Sequence, residues 1–264
     1  MPTQAEKARI FQELHSAPGS FVIPNPWDGA SARILSALGF KALATSSGAC
    51  AGTLGKRDGR ITRDEALTHA ALIVESTDLP VSADLERCFA HDPREAAETI
   101  RLAAGVGLVG GSIEDSTGNP SKPLYGFDEA VERVAAAAGV ARSRAQNFVG
   151  GNPDLGDTVR RLQAFEKAGA DVLFAPGLPD IEAVRTVCES VSKPVNFMVG
   201  MPGRSFPVDQ LTAAGVKRIS LATSLWKAAL TGFLAATKEI LEQGTFGYVD
   251  TSVSSRELAA YLQD

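Results

Sequence analysis

Cysteine is scarce in this 264-residue chain, which contains only Cys50, Cys88 and Cys188. Their spacing matches no metal-binding pattern and their number is odd, so neither a cysteine zinc site nor a disulfide framework is predicted. The sequence also lacks an apolar run long enough to span a membrane, and its polar N-terminal segment lacks the apolar core of a signal peptide. We therefore expect a cytoplasmic protein.

An excess of positive charge is absent as well. Lys and Arg number 26 against 31 Asp and Glu, which gives a net charge of −5, and the basic residues are scattered. This distribution gives no electrostatic reason to expect binding to nucleic acid or to an anionic membrane. The composition is that of a globular protein, and without a linker or low-complexity segment we predict one domain over residues 1–264.

Short apolar or β-branched segments alternate with longer helical patterns along the chain. The predicted strands are Phe21–Pro24, Ala42–Ser46, Pro80–Leu85, Leu108–Ile113, Asp171–Ala175, Pro194–Val199 and Arg218–Ala222. This alternation is typical of a parallel sheet covered by helices. The number and spacing of the segments favour an α/β fold of the (β/α)₈ TIM-barrel type, with a C-terminal helical extension beginning near Ser224. No G-x-G-x-x-G follows the first strand, which argues against a dinucleotide-binding fold.

The fifth strand of this barrel is weak in the sequence. It should lie in Gly139–Val149, a stretch with no clean apolar run. Two alternatives remain open: residues 141–148 form a short, polar and degenerate strand, or the barrel is distorted or open at this point.

Carboxylates end two of the predicted strands. Asp84 and Glu86 follow the third strand, and Glu114 and Asp115 follow the fourth. A buried charge is costly unless it reaches solvent, finds a partner or binds a cation. Adjacent strands that deliver acids to one end would form an oxygen-rich pocket suited to Mg²⁺. The alternative is that each acid is a polar strand cap facing water.

The other strand ends provide few charged groups. Arg144 in the weak fifth segment could bind a carboxylate or phosphonate through its guanidinium, or pair structurally with Glu114. Backbone N–H groups around Ser47, Gly48 and Ala49 could bind an oxyanion. Asn196 on the seventh strand is either a polar contact for the ligand or a satisfied core amide. Together with Mg²⁺, these groups suit a small, doubly anionic 2-oxo acid whose enolate is stabilised during reaction.

Several motifs resemble the isocitrate lyase and phosphoenolpyruvate mutase superfamily. They run in the family's order and spacing from about Phe21 to Phe246, nearly the whole chain. The matching segments are Asn25-x-Trp27-Asp28, Ser46-Ser47-Gly48-Ala49 with Leu54-Gly55-x-x-Asp58, Ala83-Asp84-Leu85-Glu86, Gly110-Gly-Ser-Ile-Glu114-Asp115, Ala168–Gly177 and Lys193-Pro-Val-Asn196.

The resemblance implies a Mg²⁺-dependent enzyme that makes or breaks a C–C or C–P bond beside a 2-oxo acid. It assigns Asp84, Glu86 and Glu114 to the metal, with Asp58 helping through waters, and Arg144, Glu114 and Asp58 to catalysis. The implied substrate-binding residues are Trp27, Ser47, Gly48, Ala49, Arg144 and Asn196. It also implies a homo-oligomer, a dimer or tetramer that exchanges a C-terminal helix.

Two departures from the family pattern narrow the function. Isocitrate-type lyases carry a Lys-Lys-Cys-Gly-His loop after the second acid strand, whereas Ser116–Gly126 contains neither Cys nor His. Gly and Tyr commonly follow the metal acids in the family, whereas Arg87, Cys88 and Phe89 stand here. Without a thiol acid, isocitrate or methylisocitrate cleavage is not expected.

Three functional hypotheses follow. The first is a Mg²⁺-dependent lyase of small 2-oxo acids, similar to oxaloacetate decarboxylase, that breaks a C–C bond through a metal-stabilised enolate. The second is C–P chemistry by a phosphoenolpyruvate mutase or phosphonopyruvate hydrolase, in which Asn119 and Lys122 could contact the phosphoryl group. The third is a barrel that binds a 2-oxo acid without catalysis.

Overall fold

The computed structural model describes residues 2–138, 144–146 and 154–262, which form an α/β fold. The strands in this part of the chain are β1 (Phe21–Ile23), β2 (Leu43–Ala44), β3 (Val81–Asp84), β4 (Gly110–Glu114), β5 (Ser116–Asn119), β6 (Lys122–Leu124), β7 (Arg144–Gln146), β8 (Leu173–Phe174), β9 (Val195–Met198) and β10 (Arg218–Ser220). The helices are α1 (Gln4–Ser16), α2 (Gly29–Ala37), α3 (Ser47–Thr53), α4 (Arg63–Glu75), α5 (Pro93–Gly105), α6 (Phe127–Ala138), α7 (Leu155–Lys167), α8 (Ile181–Glu189), α9 (Val208–Ala213), α10 (Ser224–Gln243) and α11 (Ser255–Tyr261), with a 3₁₀ helix at Gly247–Thr251.

Eight parallel strands form one sheet in the order β1-β10-β9-β8-β7-β4-β3-β2. The two strands at the ends of this order are joined by a backbone hydrogen bond of 3.0 Å from the Ala44 N–H to the Pro24 carbonyl. The predicted TIM-barrel-type fold is therefore confirmed. In such a fold the carboxyl ends of all strands meet at one face, where loops can bring distant residues together.

The weak fifth strand exists as β7. It pairs in parallel with β4 on one side and β8 on the other, so that Arg144 lies opposite Ser112 and Gln146 lies opposite Glu114. The short, degenerate strand predicted from the sequence is thus confirmed. The remainder of the predicted segment, and the Arg144 side chain, lie outside the described residues.

Capped amphipathic helices cover the sheet, as α5 illustrates. The Asp92 carboxylate accepts from the main-chain N–H groups of Arg94 and Glu95, and Pro93 occupies the first helical turn, where its missing N–H costs nothing. Ala96, Ile100 and Ala103 recur at helical spacing and are buried against the sheet. Burying a side chain such as Ile100 contributes roughly 2 kcal/mol.

Helix α1 lies against the amino-terminal end of the barrel. The Gln4 side chain donates to the carbonyls of Ala104 and Leu108 at 2.8 and 2.9 Å, and the buried Lys7 ammonium donates to the Thr77 carbonyl at 2.8 Å. These contacts close the face opposite the one where the predicted site residues lie.

The C-terminal extension packs little against the rest of the chain. Helices α10 and α11 and the 3₁₀ helix contain no buried residue. Large apolar side chains stand exposed on α10, including Phe233 at 62% and Leu241 at 85%. In the described part of the chain, no helix combines the length and apolarity needed to cross a membrane.

Candidate active site

A cavity of about 280 Å³ opens at the carboxyl ends of the barrel strands, and we call it the site cavity. Its polar lining comes from five strands and the segments that follow them: Asn25, Thr45, Ser46, Ser47, Asp58, Ser82, Asp84, Ser112, Glu114, Arg218, Ser220, Thr223 and Lys227. A larger cavity, of about 690 Å³, lies under α1 at the other end and contains none of the predicted site residues.

Asp84 is the last residue of β3 and is held by four donors. Its Oδ2 accepts from the Ser47 N–H at 3.2 Å and from the Ser47 hydroxyl at 3.0 Å. Its Oδ1 accepts from the Glu86 N–H at 3.2 Å and from the Ser112 hydroxyl at 3.5 Å. Burial raises the pKa of Asp84, the hydrogen bonds oppose this rise, and the charge of Asp58 adds to it. The hydrogen bonds therefore fix the position of the carboxylate, and a nearby cation would stabilise its ionised form.

Glu114 ends the neighbouring strand β4 and lines the site cavity beside Asp84. Its main-chain N–H donates to the Glu86 carbonyl at 2.8 Å, which ties the two strand ends together. Burial raises the pKa of Glu114 well above its usual value, and the charges of Asp84, Glu86 and Asp58 raise it further. We call Asp58, Asp84, Glu86 and Glu114 the acid cluster.

Glu86 lies in a strained turn after β3, outside the lining of the site cavity. Its backbone is left-handed, with φ of 49°, and Cys88 and Phe89 follow with φ of 59° and 55°. Such angles favour glycine, which is consistent with the Gly that commonly follows the acids in the family. Burial and the charges of Asp84 and Asp58 raise the pKa of Glu86 to about 7. Its buried Oε1 has no hydrogen-bond partner among the described residues.

A buried arginine holds this turn in place. Arg133 of α6 donates to the main-chain carbonyls of Arg87, at 2.6 Å, and His91, and its guanidinium lies over the Tyr125 ring. Burial raises the pKa of the Cys88 thiol in the same turn to about 12, so this thiol stays protonated and unreactive at neutral pH.

Asp115 does not join the acid cluster. Successive side chains of a strand point to opposite faces, so Glu114 faces the barrel interior and the next residue faces the surrounding helices. There the Arg161 guanidinium of α7 donates to Asp115 at 3.2 Å and to Asp157 at 2.9 Å. Asp115 is a structural partner of Arg161.

The segment Ser47–Ala49 forms the first turn of α3 and borders the site cavity through Ser47. The Ser47 N–H is committed to Asp84, and the Ala49 N–H donates to the Ser46 hydroxyl at 3.5 Å. At Gly48 a β-carbon would lie 3.1 Å from Oδ2 of Asp58 and 2.9 Å from Cγ2 of Thr223. A residue without a side chain at this position thus allows Asp58 to approach the cavity.

Two residues predicted to bind the substrate, Asn196 and Trp27, do not line the site cavity. Asn196 is 1% exposed, accepts from Arg218 and donates to Ser220, and it is not part of the cavity lining. Trp27 is also absent from that lining, and its main-chain carbonyl contacts His69 Nε2 at 2.9 Å.

The two basic residues of the site cavity, Arg218 and Lys227, were not predicted from the sequence. Arg218 is the first residue of β10, whereas the predicted functional groups lie at the carboxyl ends of strands. A charged residue at the head of the apolar run Arg-Ile-Ser-Leu was the signal that could have found it. Lys227 lies in the first turns of α10 and had no such signal.

The acid cluster fits a hard cation better than a soft one. In the described part of the chain, no group of three or more His, Cys, Asp or Glu side chains is close enough to bind a metal by itself. Mg²⁺ does not need such a cage, because it keeps several waters and takes one or two carboxylates. Asp84 and Glu114 would supply those oxygens. Glu86 has one oxygen, Oε1, without a partner among the described residues, while its Oε2 lies 3.8 Å from the Arg87 guanidinium.

Comparison with known proteins agrees with this geometry. The family model described as phosphoenolpyruvate phosphomutase matches residues 11–241. The chain is 27% identical to a 2-methylisocitrate lyase of Aeropyrum pernix, over 89% of this chain and 80% of that one. It is 28% identical to an oxaloacetate decarboxylase of Paraburkholderia xenovorans, over 88% and 81% of the two chains.

A solved structure from Burkholderia cenocepacia J2315, described as a candidate lyase or mutase, is 45% identical. It aligns over 98% of this chain and 96% of its own with a TM-score of 0.96. The resemblance found in the sequence is confirmed, and the relatives of this chain include a 2-methylisocitrate lyase and an oxaloacetate decarboxylase. The chain belongs to the phosphoenolpyruvate phosphomutase family, within the isocitrate lyase and phosphoenolpyruvate mutase superfamily.

Proposed function

We propose that the protein is a Mg²⁺-dependent carbon–carbon lyase of small 2-oxo acids that acts as an oxaloacetate decarboxylase. The observation that carries this proposal is the pair of half-buried carboxylates, Asp84 and Glu114, at the ends of adjacent strands facing one cavity. The similarity to a 2-methylisocitrate lyase and to an oxaloacetate decarboxylase supports the same class of reaction.

The acid cluster would hold the metal, with Asp84 and Glu114 as its protein oxygens and Glu86 and Asp58 acting through water. A bound Mg²⁺ would supply Lewis-acid polarisation of the substrate's oxygens. Ser47 orients Asp84 through its N–H and hydroxyl, so the carboxylate meets the ligand without reorganisation. Arg144 is the proposed partner of the substrate's first carboxylate, and its strand lies next to that of Glu114.

Decarboxylation suits a site without a thiol acid. When the C3–C4 bond of oxaloacetate breaks, its electron pair enters the pyruvate enolate, and carbon dioxide leaves without needing a proton. The loop that carries Cys and His in isocitrate-type lyases is here the hairpin of β5 and β6. Its Asn119 and Lys122 are exposed, and they remain the residues that phosphoryl chemistry would require.

Substrate assays test this function. Purified protein with oxaloacetate and MgCl₂ should form pyruvate faster than MgCl₂ alone, and EDTA should abolish the difference. Phosphonopyruvate, followed by phosphorus NMR, should remain unchanged. Conversion of phosphonopyruvate without pyruvate formation from oxaloacetate would replace this proposal by the mutase or hydrolase alternative. Metal-dependent oxalate binding without any turnover would favour the non-catalytic barrel.

We also propose a homo-oligomer, a dimer or tetramer that exchanges its C-terminal helix. The support is the exposed apolar surface of α10, where Phe233, Leu234 and Leu241 are each more than half exposed. Light scattering after gel filtration should give a multiple of 27.6 kDa for the wild type. Leu241→Glu should reduce that mass, while Lys238→Glu, which removes no apolar surface, should not. A monomeric wild type would refute the exchange.

A cytoplasmic location is also part of this proposal. Cys50, Cys88 and Cys188 are free thiols, as a reducing compartment allows.

A further inference from the structure

Two of the buried arginines in the described part of the chain are engaged by the fold itself. Arg133 donates both of its Nη groups to main-chain carbonyls, and Arg161 forms ion pairs with Asp115 and Asp157. Arg218 differs from both because it lines the site cavity. It is 3% exposed, and like Arg133 it has no acidic partner among the described residues.

A neutral amide orients the Arg218 guanidinium. Its Nε donates to Oδ1 of Asn196 at 2.6 Å, and Nδ2 of Asn196 donates in turn to the Ser220 hydroxyl at 3.0 Å. Arg218 and Asn196 are directly opposed in the parallel pairing of β10 and β9. The charge is therefore fixed by a contact that does not neutralise it.

Arg218 has unused donor capacity. Its buried Nη1 has no hydrogen-bond partner among the described residues, although the residue forms part of the wall of the site cavity. The Ser82 hydroxyl, in the same wall, is buried and unpartnered as well. A guanidinium remains charged in proteins, and an uncompensated buried charge is costly. Both groups would be satisfied by a ligand with acceptor oxygens.

The lining of the site cavity carries both signs of charge. Asp58, Asp84 and Glu114 are its acidic residues. Arg218 and Lys227 supply the basic residues of the lining. The volume of about 280 Å³ equals about nine water molecules at roughly 30 Å³ each, enough for a small metabolite with water.

We propose that Arg218 binds the second carboxylate of the substrate, with Asn196 as its positioning residue, so that the substrates are dicarboxylic 2-oxo acids. This inference rests on the proposed function, because the 2-oxo acid end is taken to lie at the acid cluster. The planar guanidinium can donate two parallel hydrogen bonds to a carboxylate. A monocarboxylic 2-oxo acid such as pyruvate would leave Arg218 unsatisfied and would bind less tightly.

The proposed contact affects binding more than chemistry. In oxaloacetate the second carboxylate is the group that leaves as neutral carbon dioxide, so its attraction to Arg218 weakens as the C3–C4 bond breaks. An interaction stronger in the bound substrate than in the transition state lowers KM and gives no increase in kcat. Arg218→Met should therefore raise KM for oxaloacetate without lowering kcat.

Calorimetry with two probes separates this inference from the proposed function. Oxalate with Mg²⁺ reports the acid cluster alone, whereas 3,3-difluorooxaloacetate with Mg²⁺ adds a second carboxylate to a 2-oxo acid. Arg218→Met should weaken binding of the difluoro compound at least roughly thirtyfold, the lower end for breaking a buried charge pair. It should leave oxalate affinity within a factor of about three.

Controls keep the outcome interpretable. Arg185→Met removes an exposed arginine of α8, away from the cavity, and should change neither affinity. Arg218→Lys retains the charge and should recover part of the lost affinity, so it carries the test if Arg218→Met does not fold by circular dichroism. Failure of the wild type to bind oxalate with Mg²⁺ would refute the proposed function. Equal affinity of wild type and both Arg218 variants for the difluoro compound, with oxalate still bound, would overturn the role of Arg218.

Discussion

Replacing Asp84 with Asn should separate metal binding from folding. The substitution preserves the shape of the side chain but removes one of the negative charges of the acid cluster. We expect stability without metal to change little and stabilisation by Mg²⁺ to disappear. Metal-dependent turnover should disappear with it.

Two opposing effects set the stability without metal. The pKa of Glu86 rises from 4.5 to about 7, which corresponds to about 3 kcal/mol. Burial is the larger cause of this shift, so the repulsion between Asp84 and Glu86 is on the order of 1 kcal/mol. Asp84→Asn removes that repulsion and stabilises the fold by the same amount. Asn retains only one acceptor oxygen, so either the Ser47 or the Glu86 N–H loses its partner, at about 1 kcal/mol. The two effects nearly cancel.

The effect of metal is larger. A ligand present at one hundred times its Kd stabilises the folded state by about 2.7 kcal/mol. For a chain of this length, that raises Tm by roughly 5–11 °C. The wild type should show this rise on addition of MgCl₂ after EDTA treatment, and Asp84→Asn should show less than about 1 °C.

Scanning calorimetry with and without MgCl₂ provides the measurement. Asp64→Asn is the matched control, because Asp64 has a side chain 90% exposed and lies outside the site cavity. Its response to Mg²⁺ should equal that of the wild type. Equal Mg²⁺-induced Tm rises in wild type and Asp84→Asn would refute the assignment of Asp84 to the metal.

Three further outcomes are expected. Because the folded-state pKa of Glu86 is raised, the folded chain binds more protons than the unfolded chain between pH 4.5 and about 7, and stability without metal falls as pH rises through that window. Urea unfolding in EDTA should therefore show that the free energy of unfolding of Glu86→Gln rises relative to that of the wild type between pH 5 and pH 8. A difference between the two proteins that stays constant with pH would contradict this. A β-carbon on Gly52 would overlap the Trp226 indole, so Gly52→Ala should destabilise by about 1–3 kcal/mol and shift tryptophan fluorescence. Gly105→Ala, with open space around it, should do neither. Arg133→Met should cost about 2–4 kcal/mol, measured by urea unfolding, because two carbonyls lose a charged donor, whereas Arg160→Met on the surface should cost less than about 0.5 kcal/mol.

Local sequence patterns predicted the fold and the acidic residues of the candidate site. Asp84 and Glu114 were found because a carboxylate that ends an apolar strand is conspicuous, and parallel strands bring such ends together. Strand alternation also separates Glu114 from Asp115, but the partner of Asp115, Arg161, lies 46 residues further along the chain and leaves no local signal.

The basic side of the site cavity could not be predicted in the same way. Arg218 starts its strand, so its position suggests a residue remote from the chemistry. It reaches the cavity because it lies inside the barrel, and Asn196 becomes its partner only through the pairing of β9 and β10. The turn at Glu86 depends likewise on Arg133, a contact that no spacing rule anticipates.

Helix α10 is continuous from the cavity to the exposed apolar surface. Lys227 in its first turns borders the cavity, and Leu241 near its end faces solvent. A second subunit bound to the C-terminal turns of α10 would also order the first turns, which carry Lys227. Ligand affinity would then depend on protein concentration, because subunit association does. Titrations performed on dilute samples would then report a weaker site than the same titrations on concentrated ones.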